Sequence, residues 1–214
     1  MSQLILASTS PRRKELLSLL TTEFKIVPSE FKEKWKEEGE VKEVVERLAL
    51  AKAEAVKKRL ESDEERYLVL GGDTLIELEG QILGKANSEQ ELRLMLERLS
   101  GRRHRVVTGL ALVDSWSGEK RIASEESWVR FIDLTPELIE RYVKLPVWRG
   151  KAGGYAIQED PLGFIEGFEG NISNIIGLPL GLTKALLEEM GWIVTETETK
   201  FLEDYLINQM RKND

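Results

Sequence analysis

The stretch that most limits how this chain can fold is its start. Four apolar residues, Leu4-Ile5-Leu6-Ala7, break into Ser8-Thr9-Ser10, and Pro11-Arg12-Arg13 then opens an apolar-periodic segment. That order predicts strand, turn, helix. Ser10 suits the N-cap, where a hydroxyl accepts from a backbone donor two or three residues on. Pro11 suits the first turn, where its missing N–H costs nothing. Orphan backbone donors and two guanidinium groups then gather at one helix start. Such a place either binds a polyanion, phosphate above all, or is an ordinary capped helix with solvated arginines.

Composition narrows the chemistry. At 214 residues, with 41% hydrophobic and 32% charged residues, the chain can build one substantial core or two small lobes. No apolar run approaches the ~20 residues of a membrane span, and the N-terminus does not read as a signal peptide. The absence of cysteine excludes disulfides, zinc–thiolate sites and thiol nucleophiles, and the single histidine, His104, excludes multi-histidine metal sites. An enzyme of this composition relies on carboxylates, lysines, arginines and a hard cation. A net charge of −7 argues against broad nucleic-acid binding but not against an anionic small ligand held in a local basic pocket.

Strand and helix patterns alternate. Strands are expected at roughly 3–7, 24–28, 67–72, 75–78, 81–83, 104–114, 120–132 and 162–168. Helices are expected at roughly 11–20, 41–61, 88–99, 135–144, 179–190 and 199–211. Asp114-Ser115-Trp116-Ser117-Gly118 joins two long strands as a hairpin and Glu79-Gly80 marks a second tight turn, so the sheet is mixed and the fold class α/β or α+β. Asn171–Gly177 reads as a turn leading into the helix that Pro179 opens.

Four places carry candidate chemistry. In the helix at 41–61, Lys52 falls on the apolar stripe of Val41, Val44, Val45, Leu48, Ala55 and Val56. It either snorkels out or meets an anion in a cleft. Asp73 follows Tyr67–Leu70 and two glycines, so it is either a carboxylate at a strand's end or a turn residue bonded to its own backbone. Gly84-Lys85 is not a Walker A loop: Gly80 precedes Gly84 by four rather than five, and Ala86 stands where Ser or Thr is required. Lys85 remains a lone phosphate-contacting cation or a surface lysine. In the glycine-rich Trp148–Gln158 segment, Gln158 carries a donor and an acceptor on one planar group, matching the edge of uracil or thymine.

Five ordered pieces, LILASTSPRRKELL (4–17), GDT with GQILGK (72–74, 80–85), LSGRRHRVVTG (99–109), GKAGGYAIQ (150–158) and GLPL (177–180), make the chain resemble the Maf family of nucleoside triphosphate pyrophosphatases. The resemblance implies one domain over residues 1–214. Its fold would be elongated and mixed-sheet, like inosine triphosphate pyrophosphatase, with two lobes flanking a cleft. It implies a cytoplasmic, often homodimeric enzyme that cleaves between the α and β phosphates using Mg2+ or Mn2+, without nucleic-acid or membrane partners. Asp73 corresponds to the family's proton acceptor and metal ligand, Lys52 and Lys85 to its catalytic lysines, and Ser8 and Arg13 to its substrate-binding pair. Glu33 corresponds to a second metal ligand, with Glu30 as rival. Arg12, Thr74 and Gln158 match the subgroup that takes dTTP and UTP rather than 7-methyl-GTP. Removal of modified pyrimidine nucleotides would use the same mechanism. The family's older name, septum formation inhibitor, keeps a second class open: a nucleotide-binding regulator of cell division. Two departures stand out, Gly72 where alanine is commoner and an unusually long tail, residues 193–214. That tail is expected to pack on the body or serve an oligomer.

Overall fold

The computed structural model describes residues 2–31, 39–60, 65–194 and 206–207. A seven-stranded mixed sheet runs through it. β1 (Gln3–Leu6) pairs in parallel with β2 (Phe24–Ile26) and with β3 (Tyr67–Leu78). β3 pairs antiparallel with β4 (Gln81–Leu83) and with β5 (Arg103–Asp114). β5 pairs antiparallel with β6 (Lys120–Phe131), and β6 with β7 (Ile165–Glu169), giving the order β2-β1-β3-β5-β6-β7 with β4 alongside the end of β3.

Alternation along the strands sorts the core. Ile5, Ala7, Val69, Ala111 and Val113 face α2 (Val41–Arg59), where Ala49, Ala53 and Val56 pack against them. Leu4, Leu6, Leu68, Leu70, Leu110 and Leu112 point to the other face, against leucines of α1 (Pro11–Ser18) and α6 (Leu180–Glu189). A separate cluster at the far end joins Ile76, Val106, Val129 and Phe131 to α3 (Glu89–Leu99) and α4 (Pro136–Val143). Period-two burial on both faces is what a covered central strand requires.

α2 lies unusually close to the sheet because two glycines make room. A Cβ on Gly71 would sit 2.9 Å from Ala53 N and closer still to Ala49 O; one on Gly109 would sit 2.5 Å from the Val45 carbonyl. No side chain fits between these backbones.

Three expectations are corrected. Residues 67–72 and 75–78 form one strand, because β5 pairs with β3 through the glycines, from Leu68 to Glu77. Asp73 is therefore inside a strand rather than at its end. The Asn171–Gly177 turn contains a short helix, α5 (Ile172–Ile176). The strand expected at 162–168 starts at Ile165, since Asp160 accepts from the Phe164 and Ile165 amides at 2.8 Å and holds the preceding residues in a turn. The helix expected at 199–211, and most of the 193–214 extension, lie outside the described residues. Leu206 and Ile207, which are described, pack against the core.

Candidate active site

β1 stops before β3 does, and this creates the site. β1 covers β3 at Tyr67–Leu70 and β4 covers it at Ile76–Leu78, on the edge opposite β5. Between them, β3 opens at Asp73 and Thr74 on a cleft of about 810 Å³. Asp73, on the α2 face of the strand, and Thr74, on the other face, both line this opening. So do the start of α1, residues 28–31, Lys85 and the segment 149–159.

Lys52, one turn beyond Ala49 on α2, reaches Asp73 and forms a buried ion pair with its Oδ1. Lys52 is 8% exposed and Asp73 5%. Of the two readings of Lys52, the one that meets an anion in a cleft holds. The glycine paving explains how: bulk at position 71 or 109 would lift α2 and pull the lysine away.

Arg13 reaches the cleft from α1. Its Nε donates to the Gly177 carbonyl at 2.9 Å, its Nη2 to Thr74 Oγ1 at 3.0 Å and its Nη1 to Ser8 Oγ at 3.5 Å. Thr74 Oγ1 is in turn 3.0 Å from Thr108 Oγ1, and Thr108 donates to the Asn174 carbonyl. These neutral acceptors fix the direction of the guanidinium. Ser10 caps α1 as expected, accepting from Arg13 N, and Ser8 Oγ accepts from Ser10 N. A Cβ on Gly72 would lie 3.3 Å from Leu110 and 3.4 Å from Arg13 Nε, so alanine there would press lightly on this arrangement. Burial pulls the Arg12 guanidinium below its ordinary value, while Glu159 and Glu15 pull the other way.

The opposite wall is clipped together. Lys85 bridges to Ala152, and Gly153 N donates to the Gly84 carbonyl at 3.0 Å. A tight turn closed by Glu159 N to Ala156 O places Ile157 and Gln158 at its tip. Gln158 Oε1 is buried and has no hydrogen-bond partner among the described residues. Behind it, Tyr155 lies 2.6 Å from His104 Nε2 through its hydroxyl, with His104 and Phe131 edge-on to its ring. Burial alone drives the His104 pKa down to about 4, while burial, with Tyr142 adding to it, pushes the Tyr155 hydroxyl well up.

The structure thus brings Ser8, Arg12, Arg13, Lys52, Asp73, Thr74, Lys85 and Gln158 to one cleft. Glu33 lies outside the described residues. Glu30 lines the cleft in a left-handed conformation (φ 49°), its carboxylate 3.2 Å from Arg59. Among the described residues no three His, Cys, Asp or Glu side chains gather as a metal cage. Asp73 does bring a buried oxygen donor, and Mg2+ is commonly held by one or two carboxylates together with phosphate oxygens. The donor set therefore fits a cation shared with a polyphosphate. Tyr155, Lys151 and Glu159 escaped the sequence reading. Only the turn at 156–159 brings the last two together, and no spacing rule announces that turn.

A family profile described as Maf-like protein matches residues 3–190. The dTTP/UTP pyrophosphatase of Thermotoga maritima is 41% identical over 190 residues, covering 89% of this chain and 90% of that relative. That of Symbiobacterium thermophilum is 42% identical over 192 residues, covering 90% and 96%. A crystal structure of a nucleoside-triphosphatase / dITP/XTP pyrophosphatase from Mycobacterium abscessus aligns with 88% of this chain and 94% of that one at 16% identity. Its TM-score of 0.41 is too loose a likeness to inform the fold. The matched profile spans the strand–turn–helix start, the Lys52–Asp73 pair, both walls of the cleft and the Gly177 carbonyl that holds Arg13, and the chain belongs to the Maf family.

Proposed function

We propose that the chain is a nucleoside triphosphate pyrophosphatase that hydrolyses dTTP and UTP to the monophosphate and pyrophosphate. The observation that carries this is the convergence, on the uncovered stretch of β3, of a buried lysine–carboxylate pair with a rigidly directed arginine. The dTTP/UTP pyrophosphatase activity for which relatives at about 40% identity are named supports it.

Water attacks the α phosphorus; its oxygen bonds to phosphorus as the bond to the α,β-bridging oxygen breaks. Asp73 accepts the water's proton. Lys52 orients that carboxylate and, with Arg13 and Lys85, meets the charge that gathers on the departing pyrophosphate. Ser8 and the first amides of α1 hold phosphate oxygens. Asp73, with Glu33 as the expected second ligand, would hold a Mg2+ or Mn2+ ion, which would supply charge neutralisation and a more acidic water. Gln158 Oε1 supplies the acceptor that the N3–H of a uracil or thymine ring needs, with Arg12 and Thr74 alongside. We read Thr74 as acting through Arg13, which its hydroxyl holds. The same reading gives a single domain of two lobes around the cleft, working as a cytoplasmic homodimer.

Purified protein is incubated with dTTP, UTP, CTP and GTP plus Mg2+, and pyrophosphate and monophosphate are measured. Release of both from dTTP and UTP, ahead of the other two, is the expected result. Nucleotide binding without release would overturn the reading.

A further inference from the structure

Lys151 packs along the cleft wall with its side chain 12% exposed, and its Nζ meets Glu159 Oε2 at 2.7 Å. Both residues line the cleft, on either side of the turn that presents Gln158. Glu159 is 46% exposed and also acts electrostatically on Arg12, which belongs to α1 on the other wall. One half-exposed carboxylate therefore balances cations from both walls. Such a pair is weak where one partner meets water. A triphosphate offers more charge and more acceptor oxygens than one carboxylate, so it can take Lys151 over from Glu159.

We propose that Lys151 is a further polyphosphate-binding residue and that Glu159 is its resting counter-ion, displaced when a triphosphate binds. This rests on the polyphosphate-cleaving reading above. The competing account is a purely structural ion pair, and the two differ in sign. If the pair only braces the turn, removing either partner harms the site in the same direction. If Glu159 competes with substrate, removing it improves binding while removing Lys151 weakens it.

Inorganic tripolyphosphate serves as the probe, titrated calorimetrically into the full chain, with dTTP turnover followed in parallel. Lys151→Met is expected to weaken tripolyphosphate binding about tenfold. Glu159→Gln is expected to tighten it about threefold at low salt, with the gain fading near 1 M, where the screening length drops to about 3 Å. The dTTP KM should follow the same signs with little change in kcat. Shifts in the same direction, or no shift in either variant, overturn the proposal. Should Lys151→Met fail its melting control, the half-exposed Glu159→Gln decides alone: unchanged or weaker binding overturns it. Wild-type protein that binds tripolyphosphate yet cleaves no nucleotide defeats the enzymatic reading and leaves the counter-ion role standing. Wild-type protein that does not bind tripolyphosphate defeats the counter-ion role.

Discussion

The two ends of the cleft are built differently. At one end Asp73 and Lys52 sit on a central strand and a long helix, both buried, with two glycines bringing the backbones together. At the other, Gln158 stands at the tip of a turn whose segment is clipped to the body by the isolated Lys85–Ala152 bridge, with its buried oxygen unanswered among the described residues. The first end spends its polar groups on one another and fixes their geometry before anything binds. The second leaves an acceptor open, a cost that a complementary ligand removes. On the proposed function, chemistry that needs a fixed proton acceptor would fall to the first, and discrimination between bases to the second.

That division is tested most severely at Asp73. Asp73→Asn keeps the shape and removes the proton acceptor, so kcat should fall by at least about 10³-fold. Nucleotide binding, measured separately, should change far less. A variant with near-wild-type turnover would break the assignment of chemistry to this end.

His104 ties the turn end to the core, and its titration measures how firmly. Its folded pKa of about 4 lies below the ordinary 6.5. Above pH 6.5 the ring is neutral whether folded or not, so no penalty exists there. As pH falls from 6.5 towards 4 the unfolded chain takes up a proton that the folded one refuses, and stability drops. The full difference is about 3 kcal/mol. Urea unfolding of wild type and His104→Phe at pH 7 and pH 4 should show the variant losing about that much less over the interval. Equal losses would mean the ring is not held neutral beneath Tyr155.

Gly109→Ala sharpens the account of the other end. The new methyl meets the Val45 backbone, which cannot swing aside as a side chain would. Overpacking of this kind costs about 1–3 kcal/mol. Because the shift also draws Lys52 from Asp73, turnover should fall more than the melting temperature alone explains. Loss of stability with unchanged kcat would separate the paving from the site.

The sequence made the chemical groups legible and hid what positions them. The strand–turn–helix at Leu4–Arg13, the Asp114–Gly118 hairpin and the amphipathic stripe of α2 are local patterns, and each appears as read except that Ala55 is only half-buried while Ala49 and Ala53 join the buried face. Lys52 stood out because a cation on an apolar stripe is a local conflict. The glycines at 71 and 72 looked like a strand terminus because a glycine pair usually is one; only the partner strand reveals that β3 continues. The Gly177–Arg13–Thr74 contacts and the Lys151–Glu159 pair depend on chain segments meeting in space, and no local pattern encodes them.

The gentlest test addresses the turn end directly. In Gln158→Glu the carbonyl acceptor survives but the amide donor becomes a second acceptor. A pyrimidine that offers N3–H beside O4 then keeps one bond and meets repulsion at the other. The dTTP kcat/KM should fall by about 10–100-fold, on the order of 1–3 kcal/mol for one mispaired polar contact. CTP shows a donor where dTTP shows O4, so its relative rate should rise. Tripolyphosphate carries no base for position 158 to meet, so its binding should hold. The informative quantity is the ratio of dTTP to CTP rates at fixed Mg2+. If that ratio stays put while both rates fall together, Gln158 shapes the turn instead of reading the base, and the two ends of the cleft differ in rigidity but not in task.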